Sequence, residues 1–132
     1  MIGKAKNGLI YKDLTHSIIG AAMEVHRELK PGFTEKIYEK ALTIELDLRK
    51  IPFQVQKEVQ VEYKGRIVGD HILDVIVDEK VIVELKAVEQ IDKVHEAQLI
   101  GYLKASKCRI GLLINFSKAS LEWKRILLKD NL

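Results

Sequence analysis

The sequence predicts a mixed α/β fold in which a central sheet of about five strands is flanked by helices. Apolar residues recur at helical spacing through the first 50 residues, and short apolar runs bounded by Gly, Pro or charged turns follow them. A further helical segment, residues 91–105, separates three strands from two. The predicted order is therefore helix, helix, three strands, helix, two strands.

Two helices account for the N-terminal part. Residues 13–29 carry an apolar stripe at helical spacing, and Pro31-Gly32 ends this helical segment. Residues 34–50 carry a second apolar stripe, and Pro52 ends that segment. Thr34 stands where an N-cap residue is expected. The first stripe consists of Leu14, Ile18, Ala22, Val25 and Leu29, and the second of Ile37, Ala41, Ile44 and Leu48.

The strands follow from alternation and from continuous apolar runs. Residues 53–63 alternate apolar with polar side chains, which indicates a half-exposed edge strand. Lys64-Gly65 then turns the chain into a buried strand that contains Asp74, and a third strand contains Glu84 and Lys86. Residues 109–116 predict another buried strand, and residues 121–128 a last one.

Charged side chains interrupt two of the buried strands. Asp74 lies between Leu73 and Val75, and Glu84 lies between Val83 and Leu85. A buried carboxylate without a partner is costly and is normally matched by a cation, a metal or a shifted pKa. Because the donors are oxygens only, the pair favours Mg²⁺ or Mn²⁺ over zinc.

Strand register decides whether these two groups can meet. A three-residue loop, residues 78–80, pairs Val77 with Val81 and sets Asp74 opposite Glu84, with Cβ atoms roughly 5 Å apart. A two-residue loop would oppose Asp74 to Leu85 and send Glu84 to the far side of the sheet. The metal-site hypothesis therefore requires a loop with an odd number of residues.

A structural ion pair is the competing interpretation of the same residues. The spacing Glu-x-Lys is common in a chain with 31% charged residues, and it also occurs at Glu28 and at Glu122. The copy at Glu84 and Lys86 differs from the other two because it lies in a strand and has Asp74 upstream.

The segment from Gly32 to Tyr38, GFTEKIY, resembles the signature of the GxxExxY proteins, which are placed in the PD-(D/E)XK nuclease superfamily. The likeness extends over residues 11–128 and includes Asp74, the ELK motif at 84–86 and the LLINF segment at 112–116. It implies a restriction-endonuclease-like α-β-β-β-α-β core. It also implies a site in which Asp74, Glu84 and the carbonyl of Leu85 bind Mg²⁺ or Mn²⁺. No particular substrate follows from it.

Helix residues extend the candidate site. Glu35 and Tyr38 lie three apart on one helix face, where Glu35 could complete the metal shell and Tyr38 could pack or contact a phosphate. A first-turn acid that interacts only with the helix dipole is the alternative for Glu35. The superfamily resemblance implies a residue on the third helix that orients the lysine or the phosphate, for which Gln98 is the first candidate and Tyr102 the second. The sequence indicates solvent-facing positions for His16, His26 and His95, and strand parity points His71 away from Asp74.

Composition limits the class of protein. One cysteine, Cys108, excludes an intrachain disulfide and a cysteine-rich zinc site. No run of 18 apolar residues and no secretory signal is present, so we expect one soluble cytoplasmic domain over residues 1–132. The net charge of +3 does not distinguish a nucleic-acid enzyme from an ordinary cytosolic domain. Basic residues cluster near both ends, as a solvated face or a phosphate-contacting strip: Lys4, Lys6, Lys118, Lys124, Arg125 and Lys129, with Trp123 among the latter.

These observations predict a divalent-metal-dependent nuclease that hydrolyses phosphodiester bonds. Asp74 and Glu84 would bind the metal, and Lys86 would act on the attacking water and the transition state. The expected partner is a nucleic acid, and DNA is the expected form. No interaction with a membrane is expected. A catalytically silent module that binds nucleic acid or a protein is the alternative. Homodimerisation, which would double the surface that grips a duplex, stays open.

Overall fold

The computed structural model describes residues 10–129, so Lys4 and Lys6 lie outside the described part of the chain. Within it the predicted order of elements is confirmed. The helices are α1 (Lys12–Leu29), α2 (Glu35–Leu48) and α3 (Lys93–Ser106). The strands are β1 (Phe53–Tyr63), β2 (Arg66–Val77), β3 (Val81–Lys86), β4 (Ile110–Asn115) and β5 (Glu122–Leu127).

The five strands form one mixed sheet in the order of the chain, β1-β2-β3-β4-β5. Every neighbouring pair is antiparallel except β3 and β4, which are parallel and are joined through α3. A parallel pair needs such a long crossover because a tight turn reverses the chain direction. The crossover between the third and fourth strands is thus a topological necessity, and here it contains α3.

Helices cover both faces of the sheet. On one face α1 and α2 pack against Val75, Val83 and Leu112 within the larger apolar cluster. On the other face α3 packs Leu99 and Leu103 into a smaller cluster that contains Ile82 and Leu113. Alternation along β3 explains the division, since Val81, Val83 and Leu85 share one face while Ile82, Glu84 and Lys86 share the other.

The links between elements use residues suited to them. Gly32 has a φ of +127° in the turn between α1 and α2, a conformation that side chains with a Cβ rarely adopt. Thr34 occupies the predicted N-cap position of α2, although its side chain makes no capping hydrogen bond. Asp92 caps α3 by accepting from the backbone N–H groups of Val94 and His95.

The hairpin of β1 and β2 extends beyond the rest of the sheet. β3 pairs with β2 only from Val75 to Val77, while β1 pairs with β2 back to Arg66. The far part of this ribbon exposes Val61, Tyr63 and Ile67. None of the described helices has the length and apolar character needed to span a membrane.

Candidate active site

The hairpin of β2 and β3 brings the two predicted carboxylates together. Val77 pairs with Val81 and Val75 with Val83, so the three-residue loop predicted at 78–80 is confirmed. The next residues in this register are Asp74 and Glu84. Asp74 Oδ2 also accepts a hydrogen bond from the backbone N–H of Leu85 at 3.4 Å. Two carboxylates thus meet where β2 and β3 begin to diverge.

Burial and mutual repulsion disfavour the charged forms of this pair. Burial, and then the charge of Asp74, raise the pKa of Glu84 to about 8, although Lys86 opposes the shift. Burial also raises the pKa of Asp74. Two like charges in a poorly hydrated place cannot both ionise near neutral pH unless a cation compensates them. The two carboxyl groups therefore share a proton or a cation.

The donor set fits a hard divalent cation. Glu84 is only 6% exposed, and its Oε2 is buried without a hydrogen-bond partner. Such an oxygen has lost its water and gained no donor, which is costly unless an ion binds it. Among residues 10–129, no three His, Cys, Asp or Glu side chains converge as a metal-binding group. The two carboxylates would hold the ion together with backbone oxygen and water, the arrangement Mg²⁺ prefers.

Helix α2 adds negative charge to the site. Glu39 and then Glu35 raise the pKa of Asp74 further, after the effect of burial. Glu35 Oε2 accepts from the backbone N–H of Ala87 at 3.4 Å, directly after β3. Glu39 accepts from Gln56 at 3.1 Å, and its side chain is 13% exposed. Residues four apart share a helix face, and both carboxylates lie within electrostatic reach of Asp74.

Comparison with known proteins identifies the superfamily of the chain. A family model described as the PD-(D/E)XK nuclease superfamily matches residues 12–126. The chain belongs to this superfamily. No curated protein matches the chain.

The crystal structure of SSO0001 is similar to this chain, with a TM-score of 0.58 and 16% sequence identity. The match covers 73% of this chain and 50% of that one, so this chain spans about half the length of SSO0001. At this identity the likeness establishes the fold alone. It supports the mixed sheet that the superfamily assignment predicts.

Lys86 is half-buried and lies on the same strand face as Glu84. The charge of Lys86 lowers the pKa of Glu84 and of His71, so it acts on both. Lys86 also pairs with Asn115 of β4 in the parallel register. Lys86 therefore lies within electrostatic reach of Glu84 and of His71.

The structure supports the packing alternative for Tyr38. Its ring is completely buried and stacks on Phe116, with centroids 4.5 Å apart. Its hydroxyl donates to the carbonyl of Lys30 and accepts from the N–H of Phe33 at 3.2 Å. Tyr38 therefore fastens the α1–α2 turn to the core and so positions the start of α2, including Glu35.

Helix α3 brings Tyr102 near the carboxylates and leaves Gln98 exposed. The pKa of Tyr102 is raised by burial and then by the charges of Glu84 and Asp74. Its hydroxyl therefore lies within electrostatic reach of both carboxylates. The Tyr102 ring stacks on His71 with centroids 3.6 Å apart and planes 11° apart. Tyr102 thus forms a wall of the site, while Gln98 stays a prediction.

The prediction that His71 points away from the site is wrong. Its pKa is lowered chiefly by burial, with Asp74 and Lys86 acting in opposite directions, and its Nε2 is buried without a hydrogen-bond partner. Parity fails because β2 is irregular here. The expected pair Gln56–Asp74 is missing from a register that is constant from Phe53 to Val61 on both sides of it, and Gln56 has a φ of 54°. His71 therefore lies on the α3 side, as Leu73 does.

The other three histidines differ in burial and in their contacts. His16 is exposed, as predicted. His26 is only 8% exposed, and its Nε2 lies 2.8 Å from the carbonyl of Lys118, so the prediction of a solvent-facing position is wrong. His95 is partly buried because its Nδ1 accepts from the backbone N–H of Asp92 and completes the cap of α3. None of these three is part of the carboxylate site.

Proposed function

We propose that this protein is a divalent-metal-dependent nuclease that hydrolyses phosphodiester bonds in nucleic acid. The observation that carries the proposal is the unpartnered, buried Oε2 of Glu84 beside Asp74 and Lys86. Membership of a superfamily named for nucleases gives the reaction class. The resemblance of Gly32–Tyr38 to the GxxExxY signature supports the narrower assignment to that family.

Asp74, Glu84 and the backbone carbonyl of Leu85 would hold Mg²⁺ or Mn²⁺. When bound, such an ion supplies a more acidic water and neutralises charge that develops on the phosphate. In the metal-free protein the raised pKa of Glu84 keeps a proton on the pair near neutral pH, so binding of the cation would release that proton. The affinity of the site for the ion should accordingly rise with pH up to about 8.

Lys86 would orient the attacking water and stabilise the negative charge of the pentavalent transition state. It lies on the face of β3 that carries Glu84, and it is not a ligand because an ammonium group has no lone pair. Hydrolysis in this arrangement would leave a 5′-phosphate and a 3′-hydroxyl, as the superfamily resemblance implies.

The α2 carboxylates would act through water. Glu35 and Glu39 face Asp74 but do not join it in a three-side-chain group within the described residues. Glu35 would orient a water in the shell of the ion, and Glu39 would add charge that favours the cation. The aromatic wall of His71 and Tyr102 would limit access of bulk water from the α3 side.

The test is a panel of labelled DNA and RNA substrates, single-stranded, duplex and branched, with Mg²⁺ or Mn²⁺. We expect Lys86→Ala to lose cleavage and keep its affinity for the ion. Lys80→Ala is the matched control, because Lys80 lies in the loop of the same hairpin, where its ammonium group donates to Asp78 and lies over the ring of Tyr11. Cleavage that persists in Lys86→Ala would contradict the proposal.

A catalytically silent module that binds nucleic acid is the second candidate. The lack of a third converging ligand among residues 10–129 favours it. It predicts that wild-type protein cuts no substrate of the panel but binds nucleic acid, and that Lys86→Ala binds equally well. Metal titration separates the two candidates further, because only the nuclease requires an ion at Glu84.

A further inference from the structure

A cavity of about 240 Å³ lies between α1 and the edge strand β5. α1 contributes residues at positions i, i+3, i+4 and i+7, which form one helix face, and β5 contributes two alternate residues of one strand face. The cavity is lined by Lys12, Thr15, His16, Ile19, Trp123 and Arg125.

The wall of this cavity is fixed by contacts of Arg125. Its guanidinium donates to the hydroxyl oxygen of Thr15 at 3.5 Å and to the carbonyl of Ile10. Trp123 pairs with Ile114 across the sheet, and Arg125 pairs with Leu112, both of which belong to the cluster under α1. The indole is nevertheless 43% exposed, so a large aromatic surface borders an open space.

The charged side chains that line the cavity within residues 10–129 are both basic, Lys12 and Arg125. His16 also lines it, and no acidic residue of this range does so. Asp13 follows Lys12 in the chain, but it lies outside the lining. The volume is below the roughly 300 Å³ at which drug-sized pockets begin, which excludes a large enclosed ligand. An aromatic face beside cations suits one nucleobase with its phosphate.

We propose that this cavity binds one unpaired nucleotide, with the base stacked on Trp123 and the phosphate against Lys12 and Arg125. The site is distinct from the carboxylate pair. β4 separates β5 from β3, and Trp123 lies on the α1 side whereas Glu84 and Lys86 face α3. Binding here requires neither a metal ion nor cleavage, so it is independent of the proposed nuclease function.

Tryptophan fluorescence gives a direct test because Trp123 is the sole tryptophan of the chain. The protein is titrated in EDTA with a single-stranded oligonucleotide, with AMP and with inorganic phosphate. We expect saturable quenching by the oligonucleotide, which weakens as salt is raised. Equal affinity for AMP would identify a free nucleotide as the ligand, and weaker AMP binding would identify a strand. If neither the oligonucleotide nor AMP quenches the fluorescence of Trp123, the proposal is overturned.

Variants locate the phosphate contact. The double variant Lys12→Ala with His16→Ala should weaken oligonucleotide binding at least tenfold, whereas Lys93→Ala, an exposed lysine of α3, should leave it unchanged. Trp123→Ala should reduce binding of a labelled oligonucleotide measured by anisotropy, and Trp123→Phe should keep part of it. Circular dichroism checks the fold of each variant. An equal loss of oligonucleotide affinity in Lys93→Ala would show that the strand binds to surface charge in general, which contradicts a specific site.

Lys86→Ala separates this inference from the nuclease proposal. It should quench with wild-type affinity, because Lys86 lies on the other face of the sheet. A loss of quenching in Lys86→Ala would mean that the oligonucleotide reaches Trp123 only through the carboxylate site, which contradicts an independent site. Loss of cleavage with intact quenching would support both conclusions.

Discussion

Glu84 and Asn115 are buried polar residues on neighbouring strands with opposite hydrogen-bonding states. Glu84 of β3 is 6% exposed and has an oxygen without a partner, while Asn115 of β4 is completely buried. The Asn115 side chain makes four hydrogen bonds: its Oδ1 accepts from the N–H groups of Val88 and Ser117, and its Nδ2 donates to the carbonyl of Val88 and to Glu122.

The difference indicates which buried polar group serves structure and which awaits a ligand. A satisfied network gives a unique arrangement and lowers the cost of burial, whereas an unsatisfied carboxylate destabilises the chain on its own. Asn115 fixes the segment that leaves β3, and Glu122 extends this by accepting from the N–H of Ile91 at 3.2 Å. The structural group thus frames the site that the unsatisfied group occupies.

Removal of the unsatisfied carboxylate should give the largest effect. In Glu84→Ala, affinity for Mg²⁺ or Mn²⁺ should fall by more than the 10- to 100-fold that loss of an outer-shell partner costs. Isothermal titration calorimetry measures this. Asn115→Leu is the control and should bind the ion nearly as wild type does. Unchanged affinity in Glu84→Ala would move the metal site elsewhere.

Removal of the satisfied amide should affect folding instead. Asn115→Leu leaves the N–H and carbonyl of Val88 without their partner, and each buried unsatisfied group costs about 1–3 kcal/mol. We expect a loss of roughly 2–4 kcal/mol in the free energy of unfolding, measured by urea denaturation. A loss below 1 kcal/mol would mean that water replaces the amide.

The pH dependence of stability should follow Glu84. The folded protein retains a proton up to about pH 8 that the unfolded chain releases near pH 4.5, so metal-free stability falls as pH rises through this window. The slope is at most about 1.4 kcal/mol per pH unit for one proton. Glu84→Gln should flatten it and be the more stable protein at pH 8. Urea midpoints in EDTA at pH 5 and pH 8 check this, and an equal slope in the variant would exclude Glu84 as its source.

A smaller effect is expected from α2. Glu35→Gln should reduce cleavage about tenfold, equivalent to 1.4 kcal/mol of transition-state stabilisation, with little change in folding. Glu39→Gln is the matched comparison, since both carboxylates raise the pKa of Asp74. Initial rates at saturating metal give the result. Wild-type rates in Glu35→Gln would leave the hairpin as the whole of the site.

The sequence predicts the hairpin well because its determinants are local. Alternation on either side of a three-residue loop decides the register, and the register decides that Asp74 meets Glu84. The order of elements is recovered for the same reason, since each helix or strand has its own period and its own breaker.

His71 and Glu39 could not be found in this way. Strand alternation assigned His71 to the wrong face of the sheet. The irregularity at Gln56 arises from the pairing of β1 with β2 and gives no signal in the local sequence. Glu39 follows the GFTEKIY segment directly, and its spacing of four from Glu35 was the available signal. The burial of His26 likewise depends on a contact with Lys118, which is distant in sequence.

The single parallel pairing in the sheet also orders the events of folding. β1, β2 and β3 are joined by short turns and pair with low loop-closure entropy, whereas β3 meets β4 only after α3 has crossed the sheet. The carboxylate pair should therefore form with the early meander, and the Asn115 network with the late docking of β4. The φ-value is the change in the activation free energy of folding divided by the change in equilibrium stability. It should accordingly be high for Val83→Ala and low for Leu112→Ala.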